Sequence, residues 1–548
     1  FIYKSIISNE SIDYRRSVIM RCLDLYGQKS CPQKTKTYAF RHLVNPIFAM
    51  DVQATWNNPP NTPKLMDKSM TESIQSRLWK PQLADLSEES NQAGVDHSRM
   101  ELLQLSALLI KYHSQTVQDS RKDIIKFAWN YIRLEDIINK YGAYVLISYF
   151  IAHYETPFKI VIQVYVALLR AHQNEGRALV TQALDVLAPV LPTRTTSSSG
   201  AEARYPLWAK WPRRILAEET ANLQQVMSIF QFLVRQPDLF YESREHFVPL
   251  IVPSLVKITG PPNTSNDSKK LALNLISLIW HWEEKRAQNA EASHLANGTS
   301  ESPVARKRKL DEAQEPSPSP ALGPPSSRER SDYTVSNDLR ASLIKYLITF
   351  ITTIPERFLV PAAQLRQKPT TKQQNPVPTG EMINKAINLL RSLLSPEYWG
   401  DLDIDLYQKV TEPILVGEKG DKVEDKVTYM VNTLQVVRVL IAAKPNEWIA
   451  ARLPTIQKLL EKPLKSDNPE IQDCLHGLED DMDVLHKLPP PVRRVLEAIP
   501  DEQPDDEDAM DTEGTPSEFG SYLSAIATET LSASNYVSSL NILWTLSK

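Results

Sequence analysis

At 548 residues, 42 % hydrophobic and 23 % charged, the chain exceeds what one compact core usually organises, leaving several globular domains or one elongated repeat array. A net charge of −4 lacks the cationic excess of a general nucleic-acid binder. No uninterrupted apolar stretch reaches the ~20 residues of a spanning helix, so no membrane partner is expected. Cys22, Cys31 and Cys474, none in a C-x-x-C, suit a reducing compartment and not a disulfide scaffold. Glycine is the most telling count: 15 residues, under half the usual ~7 %. Sheets, hairpins and phosphate-cradling loops use glycine for positive φ, whereas helix arrays need little of it. The chain begins at Phe1, without an initiator Met, and ends at Lys548 within an amphipathic run, so it is expected to be part of a longer protein.

Taken in order, Ser98-x-x-Glu101 reads as a capping box opening a helix with Leu102, Leu105, Leu109 and Tyr112 on one face. Val145 to Tyr154 follows, with Ile147, Phe150 and Ile151 in a stripe. Thr156-Pro157 then reads as an N-cap followed by an N1 proline. Ile160, Val164, Leu168 and Ala171 predict the next helix, and Val180, Ala183, Leu184 and Leu187 another, closed by Pro189. Residues 213–235, 243–259, 268–286, 337–353, 380–394, 423–442 and 447–462 show the same period. No convincing alternation of apolar and polar residues with hairpin turns is found.

Tandem helices with short connections form bundles or solenoids, and so many cannot share one bundle core. No tetratricopeptide or ankyrin signature appears, so the expectation is an all-α, HEAT/TPR-like α-solenoid of antiparallel helix pairs. It is divided as 1–286 (solenoid, loops near 57–64 and 193–205), 287–332 (insertion), 333–500 (solenoid), 501–516 (acidic loop) and 517–548 (helix of the continuing array). Residues 287–332 contain no Phe, Trp, Tyr or Ile and are rich in Ser and Pro, which predicts disorder; 501–513 hold eight acidic side chains and no basic one.

Motifs of catalysis are missing: no P-loop, dinucleotide fingerprint, G-x-S-x-G, H-E-x-x-H, or kinase H-R-D or D-F-G. His281-Trp282-Glu283 offers the H-x-E of a zinc deaminase but lacks a P-C-x-x-C partner, and reads as helix surface. No catalytic, metal or cofactor residue is therefore assigned, and the chain is expected not to be an enzyme. Arg306, Lys307, Arg308 and Lys309 form the one sharp linear motif, suited to the acidic grooves of nuclear-import adaptors; the alternative is a solvated charge run. Ser317 and Ser319, each before proline, are candidate phosphorylation sites. The acidic loop could recruit basic partners, although such runs more often only keep a loop soluble. Pro206-Leu207-Trp208-Ala209-Lys210-Trp211-Pro212-Arg213-Arg214 interleaves aromatics with cations. That could stack nucleobases, but the simpler reading puts Pro212 near N1 of a helix and both Trp rings in packing.

"PLWAKWPRRILAEE" (206–219), "FYESREHFVPLIVPSLVKI" (240–258) and "FIAHYETPFKIVIQVYVALLRAHQNEGRALVTQALDVLAPVLP" (150–192) closely resemble the TRRAP family, transformation/transcription domain-associated proteins and their fungal counterparts. The insertions and their composition look fungal. The resemblance implies a segment of a giant protein related to phosphatidylinositol 3-kinase-like kinases, with a catalytically silent kinase-like domain elsewhere. It implies a nuclear scaffold of SAGA-type and NuA-type histone acetyltransferase complexes whose partners are transcription activators and complex subunits, without sequence-specific nucleic-acid binding. Competing expectations are a HEAT-type nuclear transport receptor and part of an active kinase of that superfamily.

Overall fold

The computed structural model describes residues 2–9, 11–28, 30–57, 64–81, 97–133, 136–171, 173–195, 206–219, 221–260, 264–298, 333–355, 380–395, 399–417, 427–466 and 468–476. Every regular element among them is helical. The chain divides into two compact units, Phe1–Phe247 and Val248–Lys548.

The first unit opens with α1 (Ile2–Ile7), α2 (Ile12–Gly27) and α3 (Gln33–Ala39), the last running through a π-turn at Phe40–Val44 into α4 (Asn45–Asn57). Next come α5 (Lys68–Ile74) with a second π-turn at Gln75–Trp79, α6 (His97–His113), α7 (Arg121–Tyr131), α8 (Ile137–His153), α9 (Phe158–Leu169), α10 (Arg177–Leu187) and a single turn, α11 (Leu191–Arg194). Helices α12 (Leu207–Glu218), α13 (Leu223–Arg235) and the short α14 (Pro237–Phe240) follow. α6, α8 and α10 pack side by side, while α7 and α9 lie against them. Contact with the sequence neighbour and the next-but-one neighbour is what stacked antiparallel helix pairs produce.

Apolar burial holds the layers: Leu102, Leu109, Leu146, Ile147, Ile151, Val161, Leu184 and Leu187 are all at most 4 % exposed. Orphan polar groups are met across helices. Trp79 Nε1 donates to Ser106 Oγ at 3.0 Å, and that hydroxyl donates to the Leu102 carbonyl at 2.8 Å. Tyr154 Oη donates to the carbonyl of Ser114, just past the end of α6, at 2.6 Å. Gln225 Nε2, from α13, donates to the Leu169 carbonyl at the end of α9.

The second unit contains α16 (Asn266–Gly298), α17 (Asn337–Thr353), α18 (Glu381–Leu394), α19 (Gln408–Leu415), α20 (Val427–Ala442), α21 (Asn446–Ala451), α22 (Leu453–Leu464) and α23 (Pro469–His476); α15 (Arg244–Thr259) carries the chain into it. α17 packs on α18 and α20, and α20 on α23. Helix α16 continues past residue 286, where the sequence reading ends the helical stretch, to Gly298.

Several local expectations need correction. Ser98 lies inside α6, buried, and not at an N-cap; the Glu101 carboxylate meets Arg41 Nε at 3.1 Å and Asn45 Nδ2 at 2.9 Å. Pro157, and not Thr156, occupies the N-cap of α9. The predicted 213–235 helix is two, because Asn222 caps α13 by accepting from the Gln225 amide at 3.2 Å. The predicted 447–462 helix also breaks, at Arg452. Pro212 sits within α12, not at its start.

Candidate docking groove

Three stacked helices of the first unit, α6, α8 and α10, enclose an open groove of about 260 Å³. Gly142 lies in its floor. A Cβ there would lie 2.7 Å from Met100 Sδ and 3.4 Å from Leu103 Cδ1, so the missing side chain lets Met100 on α6 pack directly against α8. Ala107 and Val145 extend the apolar wall. The rim is aromatic and cationic. Tyr112, which the sequence puts on one face with Leu102, Leu105 and Leu109, is 45 % exposed, whereas those three are buried. The Lys111 ammonium lies 4.8 Å from the Tyr112 ring centroid and 5.8 Å from that of Tyr149. Contact with the Tyr112 hydroxyl, and to a smaller extent with Tyr149, raises Lys111 above the usual lysine value. Among the described residues, no carboxylate lines the groove. An apolar floor edged by a cation and two tyrosines can take an amphipathic helix or a turn with an acidic residue beside its apolar anchor.

The second unit has a shallower depression of about 390 Å³ between α18 and α20, where Arg391 and Arg438 flank Leu394, Val439 and Ala442. Among the described residues, neither concavity contains a cluster of reactive groups. Among the described residues, no set of His, Cys, Asp and Glu is placed to hold a metal ion, and no helix is long and apolar enough to cross a membrane.

Arg306, Lys307, Arg308, Lys309, Ser317, Ser319 and the acidic 501–513 loop lie outside the described residues. His281 and Glu283 diverge on α16: the histidine is exposed, whereas Glu283 is buried and paired with Arg286 at 2.9 Å. They do not converge on a ligand. Trp208 is buried, 5.5 Å from the Phe240 ring in an edge-to-face contact, in keeping with the packing reading. Trp211 is half-buried with Arg214 over its ring at 5.3 Å. Cys22 and Cys474 are buried and Cys31 half-buried, all as free thiols; burial raises the Cys22 thiol. Sequence reasoning missed the groove, because Gly142 and Lys111 gain meaning only when α6 and α8 lie side by side.

Stacked helix pairs with sparse glycine and grooves between the stacks define an α-solenoid of the HEAT class. More specifically, the chain belongs to the family described as the Tra1 HEAT repeat ring region, whose model matches residues 1–548. It is 30 % identical over 478 residues to the SAGA complex/NuA4 acetyltransferase complex subunit TRA1 of Saccharomyces cerevisiae, covering 87 % of this chain. It is 23 % identical over 510 residues to the transformation/transcription domain-associated protein of Homo sapiens, again covering 87 % of this chain. The chain spans 12 % of the length of each of these relatives. Among solved structures, that of Kap121p aligns with a TM-score of 0.46 at 9 % identity, covering 99 % of this chain and 46 % of the other, a likeness too distant to carry a functional argument.

Proposed function

We propose that this chain is a non-catalytic scaffold segment of a transcription co-activator subunit of SAGA-type and NuA-type histone acetyltransferase complexes, and that it docks transcription activators. The observation that carries the reading is the family match along the whole chain, joined to relatives whose names place them in those complexes. Affinity purification of the full-length protein tests it: acetyltransferase-complex subunits should co-purify, and their absence sinks the assignment while leaving the fold untouched.

The groove at Gly142 and Lys111 supplies a surface for the docking half of the proposal. Its occupant is an amphipathic activator helix with carboxylates beside its apolar anchors, since among the described residues the rim offers a cation and no acid. Lys111→Glu should weaken binding of an acidic activator peptide by about tenfold, more at low salt than at high salt. Equal affinity of the variant and the parent, measured by fluorescence anisotropy, argues against this groove.

The chain's nuclear residence is part of the same proposal, with Arg306–Lys309 as its import signal. Deleting 304–310 should abolish nuclear accumulation of this segment fused to a reporter; an unchanged distribution removes the cluster from the account.

A further inference from the structure

Between Gly400 (φ +69°) and Tyr407 (φ +49°) the second unit carries a non-helical run, Asp401-Leu402-Asp403-Ile404-Asp405-Leu406. Burial alternates strictly along it: the three aspartates are exposed, while Leu402, Ile404 and Leu406 are 8 %, 4 % and 0 % exposed. That is the period of an extended chain. The carbonyls of the buried residues are all taken by side chains of neighbouring helices and loops. Lys444 Nζ donates to Leu402, Trp448 Nε1 to Ile404 at 3.0 Å, and Thr411 Oγ1 to Leu406 at 3.1 Å.

In an extended chain the main-chain groups of alternate residues face opposite edges. Those of Asp401, Asp403 and Asp405 therefore face away from Lys444, Trp448 and Thr411, and no described residue bonds to them. One edge of this extended run is met by side chains, and among the described residues the other has no hydrogen-bond partner. Open edges take added strands, and such pairing selects partners through the side chains beside it.

The charge on the outer face selects the partner. Asp401 and Asp403 are 71 % and 90 % exposed along their side chains. The cations that meet them come from beneath: Lys444, 2.6 Å from Asp401, is 3 % exposed, and Arg452, 3.5 Å from Asp403, is 28 % exposed. Asp405 has no cationic partner among the described residues; its Oδ1 accepts from the Leu406 amide at 2.8 Å. What solvent meets is a row of carboxylates spaced as in a strand.

We propose that the open edge of residues 401–405 accepts an extended peptide with Lys or Arg at alternate positions, pairing main chain to main chain as an added strand with its cations opposite the aspartates.

The test uses the whole 548-residue chain and a fluorescein-labelled peptide of alternating Lys and Val. Binding should slow hydrogen exchange at the Asp401, Asp403 and Asp405 amides specifically. The same peptide N-methylated at alternate amides should bind about tenfold more weakly or not at all, because it keeps its charge and loses its donors. The double variant Asp403→Lys, Asp405→Lys should weaken binding to a similar degree. Unchanged exchange at these amides, or equal affinity for the methylated peptide, overturns the proposal, and this holds even if the double variant fails to fold. Protection already present without peptide, and lost on deleting 304–310 or on dilution, would assign the edge to this chain's own basic segment or to a second copy, and overturns it as well.

Discussion

Pro212 has no amide hydrogen, so the carbonyl four residues earlier in α12, that of Trp208, lacks its helical donor. Tyr165, fully buried on α9, donates its hydroxyl to that carbonyl at 3.2 Å. Burial also holds the Tyr165 phenol well above its usual value, so it remains a donor at any physiological pH. Tyr165→Phe should therefore destabilise the protein by about 1–3 kcal/mol, the range for stranding a buried acceptor. Pro212→Ala restores the helical donor, so in that background the same Tyr165→Phe change should cost clearly less. Urea midpoints of the four proteins close the cycle, and additive shifts would show that the two residues are independent. Glu101 makes a pH-dependent prediction at the same scale. Burial raises its carboxyl above the ordinary range despite the opposing pull of Arg41 and Asn45. The folded protein then keeps this proton to higher pH than the unfolded chain does. Stability from the group is full below the unfolded value and is lost as pH rises through the folded one. Glu101→Gln cannot ionise and escapes that loss. Its Tm relative to the parent should climb between about pH 4 and neutrality, and a constant difference would count against burial as the dominant influence.

A single arginine organises much of the second unit's non-helical chain. Arg340, on α17 and 1 % exposed, donates through Nε to the Leu393 carbonyl and through Nη1 to the carbonyls of Trp399 and Gly400, each at 2.9 Å. It lies 5.4 Å from the Trp399 ring, which stacks in turn on Trp280 at 5.9 Å. Burial lowers its guanidinium to about 10, still charged at neutral pH. Lysine cannot reproduce a planar fork that serves three carbonyls and a ring, so Arg340→Lys should destabilise by about 2 kcal/mol or more, read as a lowered urea midpoint. Helices such as α17 are legible because the apolar period over 337–353 is a local signal, and in the structure Ser336 caps that helix by accepting from the Leu339 amide. The α12–α13 break was not, since Glu218 and Glu219 favour helix and Asn222 becomes a cap only once the turn has formed. Asp401–Leu406 carries a period of two in plain view, yet it is short and lacks hairpin turns, and what keeps it extended is supplied by Lys444 and Trp448 from other parts of the chain.

At the scale of the whole chain, low glycine and helical period made the class readable, and the three segments at 150–192, 206–219 and 240–258 carried the family, which the match over 1–548 shows. The groove at Gly142 and Lys111 was not readable, because a concavity belongs to the stacking of α6, α8 and α10 and to no single stretch of residues. Stacking of this kind has a mechanical corollary. Helices of the first unit lean largely on others near them in sequence, as α6 does on α8 and α3 on α6, so tension applied at the two ends of that unit passes through a series of small interfaces. Under load in an optical trap, unit 1 should lengthen in successive steps of about one helix pair and recoil when released, where a single-core domain would give way in one rip. Such a segment is compliant: it can yield locally under strain from bulky partners and keep the rest of its surface intact.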